Sequence, residues 1–195
     1  MTAKTSLIAG VDEVGKGCLF GPVFAGAVIL KKENELFLLR KGLKDSKKLN
    51  SRQRNHLVPL IKENSLDWSL GQASAREIDS IGIRIATEKA MLRALEKLSS
   101  PPDLVLVDGL LPIRSWHGKQ QTQVRGENYF PSIAAASVLA KEARDELIKR
   151  LAFKYNHYGL EKNKGYGTEI HRTNLIKLGA TSLHRKSFLS KIKID

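Results

Sequence analysis

The sequence predicts an α/β domain in which helices cover the faces of a mixed β-sheet. Short runs of apolar and β-branched residues alternate with longer segments of helical periodicity, and this alternation is typical of a sheet covered by helices. No internal repeat and no linker rich in proline, glycine or serine divides the chain. Residues 1–195 are therefore expected to form one domain.

The first half of the chain is expected to supply three strands and one helix. Ser6–Val11 and Pro22–Leu30 are apolar runs with the composition of buried strands. A helix is predicted at Ser51–Glu63, where Pro59 can kink or interrupt it. Leu66–Gln72 is a weaker candidate for a third strand.

The chain after Gln72 is expected to be richer in helix. Apolar residues at helical spacing, and apolar runs next to prolines and glycines, mark the elements there. Two strands are predicted at Leu104–Val107 and Gln121–Arg125, and three helices at Ile83–Leu98, Ser132–Phe153 and Thr168–Leu178.

The charge balance points to a polyanionic partner. Lysine and arginine number 33 against 20 acidic residues, which gives a formal net charge of +13. Nucleic acid is the first candidate for such a domain. A membrane-surface protein ranks lower because no long basic amphipathic helix stands out, and a basic protein without chemistry is not excluded by charge alone.

Cysteine usage and hydropathy indicate an intracellular setting. Cys18 is the only cysteine, so the chain can form neither an internal disulfide nor a cysteine-based zinc site. No apolar run approaches the roughly 20 residues that a membrane-spanning helix needs. We expect a cytoplasmic protein without membrane association.

Acidic residues follow three predicted strands at the point where each one ends. Asp12 and Glu13 follow the first strand, Asp108 ends the run LVLV, and Glu127 follows the strand that ends at Arg125. Carboxyl ends of strands are where α/β folds place their sites. Clustered carboxylates repel one another unless a hard divalent cation such as Mg²⁺ or Mn²⁺ lies among them.

Two considerations weaken this interpretation. Neighbouring side chains on a strand point to opposite faces, so Asp12 and Glu13 can share one site only if the chain bends, which Gly15 and Gly17 would allow. Each acid taken singly is also more often a turn former or a surface charge than a ligand. Spacing alone leaves both interpretations open.

Six short motifs, in order along the chain, resemble those of the ribonuclease HII family. The resemblance covers most of the chain, and the ordered set is far more specific than any one motif. The first motif is GVDEVGKG (Gly10–Gly17) together with FGPV (Phe20–Val23), and the others are LKDSKKL (Leu43–Leu49), LVDG (Leu106–Gly109), SIAAASVLAKEARD (Ser132–Asp145), GYGT (Gly165–Thr168) and HRKSF (His184–Phe188).

The resemblance implies an RNase H-like fold with a small C-terminal helical part, and four acids that hold two Mg²⁺ or Mn²⁺ ions. Carried over by position, these acids are Asp12, Glu13, Asp108 and Glu127. The fourth position is usually aspartate in the family, so Glu127 puts the coordination and the metal preference in question.

The resemblance also implies how the substrate is recognised. Gly15, Lys16 and Gly17 would meet the sugar edge and a phosphate at the junction from RNA to DNA, and Tyr166 would stack on the deoxynucleotide side. Ser46 and Lys47, in the lysine-rich second motif, would contact the phosphate backbone. The implied substrates are RNA/DNA hybrids and duplex DNA with embedded ribonucleotides, cut by a monomer to leave 5′-phosphate and 3′-hydroxyl ends.

Several further residues have expected roles outside this site. Arg185 and Lys186, with Lys191 and Lys193, are expected to give the C-terminus a non-specific grip on nucleic acid. His184 is expected to be structural. Asp145 is expected to pair with a nearby Arg or Lys on the long helix, and Cys18 to pack in the interior.

Two other hypotheses remain open. The related ribonuclease HIII family has a similar first motif, and FGP is if anything closer to it, but HIII usually carries an extra N-terminal domain. An inactive nucleic-acid-binding module is the second alternative, and Glu127 is its only support in the sequence. The third motif and the long helix favour HII.

Overall fold

The sheet is mixed, as the sequence predicts, and has the strand order β3-β2-β1-β4-β5. In the computed structural model, which describes residues 6–190 and 192, β1 runs antiparallel to β2, and β2 to β3. β4 is parallel to β1, and β5 is parallel to β4. The strands are β1 (Ile8–Val14), β2 (Val23–Leu30), β3 (Ser65–Ala73), β4 (Leu104–Asp108) and β5 (Gln120–Gln123).

Helices cover both faces of this sheet. One face packs on α3, and the other packs on α4 and α2, which contact each other. The short α5 and α6 belong to a C-terminal part with its own apolar cluster around Phe20, Ile148 and Leu160. The helices are α1 (Glu35–Arg40), α2 (Ser51–Glu63), α3 (Ala75–Leu95), α4 (Pro131–Lys154), α5 (Leu160–Asn163) and α6 (Glu169–Leu178).

Glycines allow α4 to lie directly on the centre of the sheet. A Cβ atom at Gly10 would clash with the backbone of Ser132, and one at Gly26 would clash with the carbonyl of Ala136. The helix presents small residues at this contact. This close approach brings the first half of α4 across the carboxyl end of β1, where the acidic residues lie.

The structure departs from the predicted elements in three places. α1 was not predicted, since its six residues are too few for a clear periodicity. α3 begins at Ala75, because Ser74 forms a capping box with Glu77, and it is interrupted at Gly82, where φ is 79°. Only its second half was predicted. α2 continues through Pro59 without a break.

In the described ranges, no helix combines the length and the apolar character that crossing a membrane requires.

Candidate active site

Asp12 and Asp108 lie next to each other at one end of the sheet. Val11 of β1 pairs in parallel register with Val107 of β4, so each aspartate is the next residue beyond that pair. Neighbouring strands are about 4.8 Å apart. Asp12 also pairs with Gly26 on the face that α4 covers. The expected convergence of the first and third acidic motifs is therefore present in the backbone.

The environment of Asp12 opposes its negative charge. Asp12 is only 5% exposed. Burial raises its pKa well above the ordinary value, and the neighbouring charges of Glu13 and Asp108 raise it further, while a hydrogen bond from Ser137 opposes the shift. A cation beside Asp12 would relieve both the desolvation and the repulsion.

Glu13 occupies the opposite face of β1. Regular pairing with β2 continues through Val14, so the bend proposed from Gly15 and Gly17 comes after both acids and does not bring their side chains to one face. The Glu13 carboxylate instead forms an ion pair with Lys16 at 3.0 Å. Its charge still reaches Asp12, as the raised pKa of that residue indicates.

Glu127 lies beside Asp108 in a 3-10 turn at Gly126–Asn128. The Gly126 N–H donates to Asp108 Oδ1 at 2.8 Å and ties this turn to the end of β4. Burial raises the pKa of Glu127, and the nearby charge of Asp108 adds to the shift. Oε2 of Glu127 is buried without a hydrogen-bond partner in the described structure, and such an atom is costly unless a ligand satisfies it.

The donor set fits hard divalent cations. Asp12, Asp108 and Glu127 present carboxylate oxygens in a partly buried location, which is the ligand type that Mg²⁺ and Mn²⁺ prefer. Within the portion of the chain that is described, no three Asp, Glu, His or Cys side chains already surround one point. Metal binding would thus require these carboxylates to move closer together around the ion.

The loop after β1 presents free backbone donors. Gly15 has a φ of 88°, which favours glycine, and Lys16 and Gly17 are exposed. Among the described residues, neither the Lys16 nor the Gly17 N–H donates to a protein acceptor. Open space surrounds the Cα of Gly17. This surface can approach a sugar closely.

Tyr166 lies beside that loop. It forms an isolated β-bridge with Cys18, and the Leu19 N–H donates to the carbonyl of Gly165 at 2.8 Å. Tyr166 is 40% exposed, and Lys141 Nζ lies 5.9 Å from the centre of its ring. The first and fifth motifs thus form one continuous surface.

The second motif differs from the expectation in part. Ser46 is buried, and its Oγ lies 2.8 Å from Ser137 Oγ. Its hydroxyl therefore supports the residue that bonds Asp12 and does not lie on the surface, as a contact to substrate would require. Lys47 is exposed as expected. Lys48 Nζ bonds Asn128 Oδ1 at 3.0 Å, which places this segment beside the Glu127 turn.

The predicted role of the basic C-terminal segment also needs correction. Arg185 is fully buried and bonds backbone carbonyls, so it cannot provide the surface grip that its position in a basic segment suggested. Lys186 is exposed, while Lys191 and Lys193 lie outside the described residues. His184 is 1% exposed and has a structural environment, as expected.

The expectations for Asp145 and Cys18 are confirmed. Asp145 pairs with Lys141 on α4 at 2.7 Å, and also with Arg54 of α2 at 3.0 Å. Cys18 is buried.

Sequence reasoning did not identify Ser137 or Arg144 as parts of the site. Ser137 is the hydroxyl that bonds both Ser46 and Asp12. Arg144 lies seven residues later, so it is on the same side of α4. The sequence did contain an indication of both residues. Ser137 follows three alanines, and the charged Arg144 comes seven positions later on the same side of the helix.

Comparison with known proteins gives a consistent result. The family model for ribonuclease HII matches residues 9–191. The ribonuclease HII of Prochlorococcus marinus (strain NATL1A) is 81% identical over 190 residues, which cover 97% of each chain. The ribonuclease H2 structure from Pyrococcus horikoshii OT3 superposes with a TM-score of 0.80 at 25% identity, covering 95% of this chain and 96% of the other.

A more distant structure shares the fold. Bst-RNase HIII in complex with Mn²⁺ has a TM-score of 0.71 at 17% identity, covering 98% of this chain and 72% of that one. The identity and coverage of the closer relatives make this protein a ribonuclease H enzyme that acts on RNA/DNA substrates. With its motifs in order and its acidic residues at the carboxyl ends of β1 and β4, the chain belongs to the ribonuclease HII family.

Proposed function

We propose that this enzyme cuts on the 5′ side of ribonucleotides embedded in duplex DNA, as well as within RNA/DNA hybrids, and that it requires divalent metal ions. Its products would carry 5′-phosphate and 3′-hydroxyl ends. This activity would contribute to ribonucleotide removal during DNA replication and repair.

The paired position of Asp12 and Asp108 is the observation that carries the proposal. Two carboxylates on adjacent strands, one of them buried with a raised pKa, form a site that favours a cation. Glu127, with its unpartnered oxygen, would complete the ligand set beside Asp108. Glu13 would contribute its charge from the other face of β1.

Bound Mg²⁺ or Mn²⁺ ions would activate the attacking water and stabilise the leaving oxygen of the sugar. The protein's own part is to hold the scissile phosphodiester beside them. The Glu13 N–H donates to Asp12 Oδ1 at 2.7 Å with the Ser137 hydroxyl nearby, and the Gly126 N–H holds the Asp108 carboxyl. The similar fold of Bst-RNase HIII, which was crystallised with Mn²⁺, is consistent with this role for metal.

Recognition of the ribonucleotide would come from the loop after β1. The free N–H groups of Lys16 and Gly17 can bond a 2′-hydroxyl, which is the mark that distinguishes RNA from DNA. The exposed ammonium of Lys16 would meet an adjacent phosphate. The exposed ring of Tyr166 would stack against the neighbouring sugar.

The test uses a labelled duplex that contains one ribonucleotide, with a matched all-DNA duplex as control. We expect a single cut on the 5′ side of the ribonucleotide when Mg²⁺ or Mn²⁺ is present, and none with EDTA. A protein that cuts long hybrids well but leaves the single ribonucleotide intact would instead have the specificity expected for a ribonuclease HIII-like enzyme. Binding without any cleavage would favour the inactive module.

A further inference from the structure

Two arginines are completely buried behind the loop that follows β1. Arg144 on α4 and Arg185 near the C-terminus both have 0% exposure. Neither has a carboxylate within 4 Å among the described residues. Burying a guanidinium without a counter-ion costs several kcal/mol unless hydrogen bonds compensate, so this arrangement calls for a specific role.

Both guanidinium groups bind backbone carbonyls of the loop. Arg185 Nε donates to Gly21 O and Nη1 to Lys16 O, each at 2.9 Å. These two bonds connect the two ends of the loop through one rigid, planar group.

Arg144 binds other carbonyls of the same loop. Its Nε donates to Pro22 O and its Nη2 to Phe20 O, both at 3.0 Å, and its Nη1 donates to Lys164 O at 2.9 Å. The last bond reaches the segment that carries Tyr166. A Cβ atom at Gly15 would clash with the Arg144 guanidinium, so the loop lies directly against it.

Four carbonyl groups of the loop are therefore turned toward buried cations, while the N–H groups of Lys16 and Gly17 remain free. We propose that Arg144 and Arg185 are positioning residues, which hold the Gly15–Pro22 loop and the Tyr166 segment in the one relative arrangement that can recognise a 2′-hydroxyl. This inference rests on the proposed function, because it concerns the same recognition surface. A displacement of about 1 Å in such a surface can cost a large factor in recognition.

The test compares wild-type protein with Arg185→Lys, which keeps the charge but cannot span the carbonyls of Lys16 and Gly21 with two arms. Affinity is measured in EDTA for a duplex with one ribonucleotide and for the same all-DNA duplex. We expect the ratio of the two affinities to fall about tenfold. Leu38→Ala, a buried change in α1 that lies in a different apolar cluster from the loop, is the control for lost stability and should keep the wild-type ratio.

The salt dependence of binding separates positioning from direct contact. Loss of a phosphate contact lowers the slope of log affinity against log salt by about one. Arg185→Lys should leave this slope unchanged, because the buried guanidinium does not reach the substrate. An unchanged affinity ratio, or a ratio lost together with a lower slope, would overturn the inference.

Other outcomes also decide the matter. If wild-type protein does not prefer the ribonucleotide-containing duplex, the proposed function fails and this inference fails with it. If wild type discriminates and Arg185→Lys discriminates equally, only the inference fails.

Should Arg185→Lys not fold, Arg144→Lys is judged by the same two measurements. Should neither fold, hydrogen exchange of wild type decides: Leu19 and Gly21 amides protected as strongly as β1 support the inference, and rapid exchange overturns it.

Discussion

Asp12 and Asp108 are the residues immediately beyond the Val11–Val107 pair of the parallel strands β1 and β4. Two carboxylates in this relationship destabilise each other, and burial of Asp12 adds to the cost. The fold nevertheless has both aspartates at the ends of β1 and β4, where an uncharged asparagine would destabilise the folded state less.

Asp12→Asn and Asp108→Asn are each expected to lower cleavage by about 10³-fold or more, since a ligand that supplies several kcal/mol of transition-state stabilisation is lost. Without metal, Asp12→Asn should also raise the melting temperature by a few degrees, because a buried repelled charge is removed. Cleavage kinetics and thermal unfolding in EDTA provide the two measurements. Near-normal turnover of either variant would contradict the assignment.

Glu127 is predicted to tolerate shortening better than neutralisation. Glu127→Asp restores the residue usual in the family and keeps a carboxylate beside Asp108, so we expect activity within about tenfold of wild type. Glu127→Gln removes the charge with almost no change of size and should lose at least about 10²-fold. Rates in Mg²⁺ and in Mn²⁺ measure both effects. Equal rates for wild type and Glu127→Gln would remove Glu127 from the metal site.

Gly15 and Gly17 are predicted to differ, although they are two residues apart. Gly15→Ala forces a side chain into a φ of 88° against Arg144, and should destabilise the fold by roughly 1–3 kcal/mol. Gly17→Ala meets open space and should leave the free energy of unfolding nearly unchanged.

The added methyl group at position 17 should nevertheless hinder a sugar, so cleavage at a single ribonucleotide is expected to fall. Urea unfolding and cleavage rates measured on both variants separate these effects. A Gly17→Ala protein that is destabilised but fully active would contradict both expectations for this variant, the unchanged free energy of unfolding and the lower cleavage rate.

His171 and His184 form a buried pair whose tautomers are fixed by their surroundings. His171 Nδ1 must donate to the carbonyl of Tyr166, and His184 Nδ1 must accept from the Thr181 N–H. His184 Nε2–H therefore donates to His171 Nε2 across 3.1 Å. Burial lowers the pKa of both rings, that of His184 to about 4.

This pair predicts a loss of stability in mild acid. Below pH 6.5 an unfolded histidine takes up a proton that folded His184 resists until about pH 4, so stability falls between these values by about 3 kcal/mol. His184→Gln keeps a donor toward His171 and should flatten that part of the curve. Exposed His56, changed to Gln, is the matched control. Identical pH profiles for wild type and His184→Gln would contradict the prediction.

The positions of the acids were accessible from sequence because they depend on local rules. Asp108 ends an apolar run, and the carboxyl ends of parallel strands meet at one edge of a sheet. The mixed sheet and four of the five helical stretches longer than one turn followed from periodicity in the same way. The order β2-β1-β4 is a long-range property that sequence cannot give. It places side by side the ends of β1 and β4, which their acidic residues had already identified as candidate sites.

Burial of polar residues could not be read from the sequence. Arg185 lies in a basic segment that predicts a solvated surface. It is nevertheless buried, because its guanidinium group bonds carbonyls of residues more than 160 positions away. Ser46 lies among lysines and is nevertheless packed against Ser137 of α4. The face occupied by Glu13 depends on where β1 stops pairing, which the partner strand decides.

Metal binding tests the central claim most directly. Manganese added to the protein without nucleic acid can be followed by electron paramagnetic resonance, which detects free Mn²⁺, for wild type, Asp12→Asn and Asp108→Asn. The account predicts that wild type removes Mn²⁺ from solution, and that each variant binds at least about tenfold more weakly. Equal binding by all three proteins would show that the metal lies elsewhere and would contradict the account.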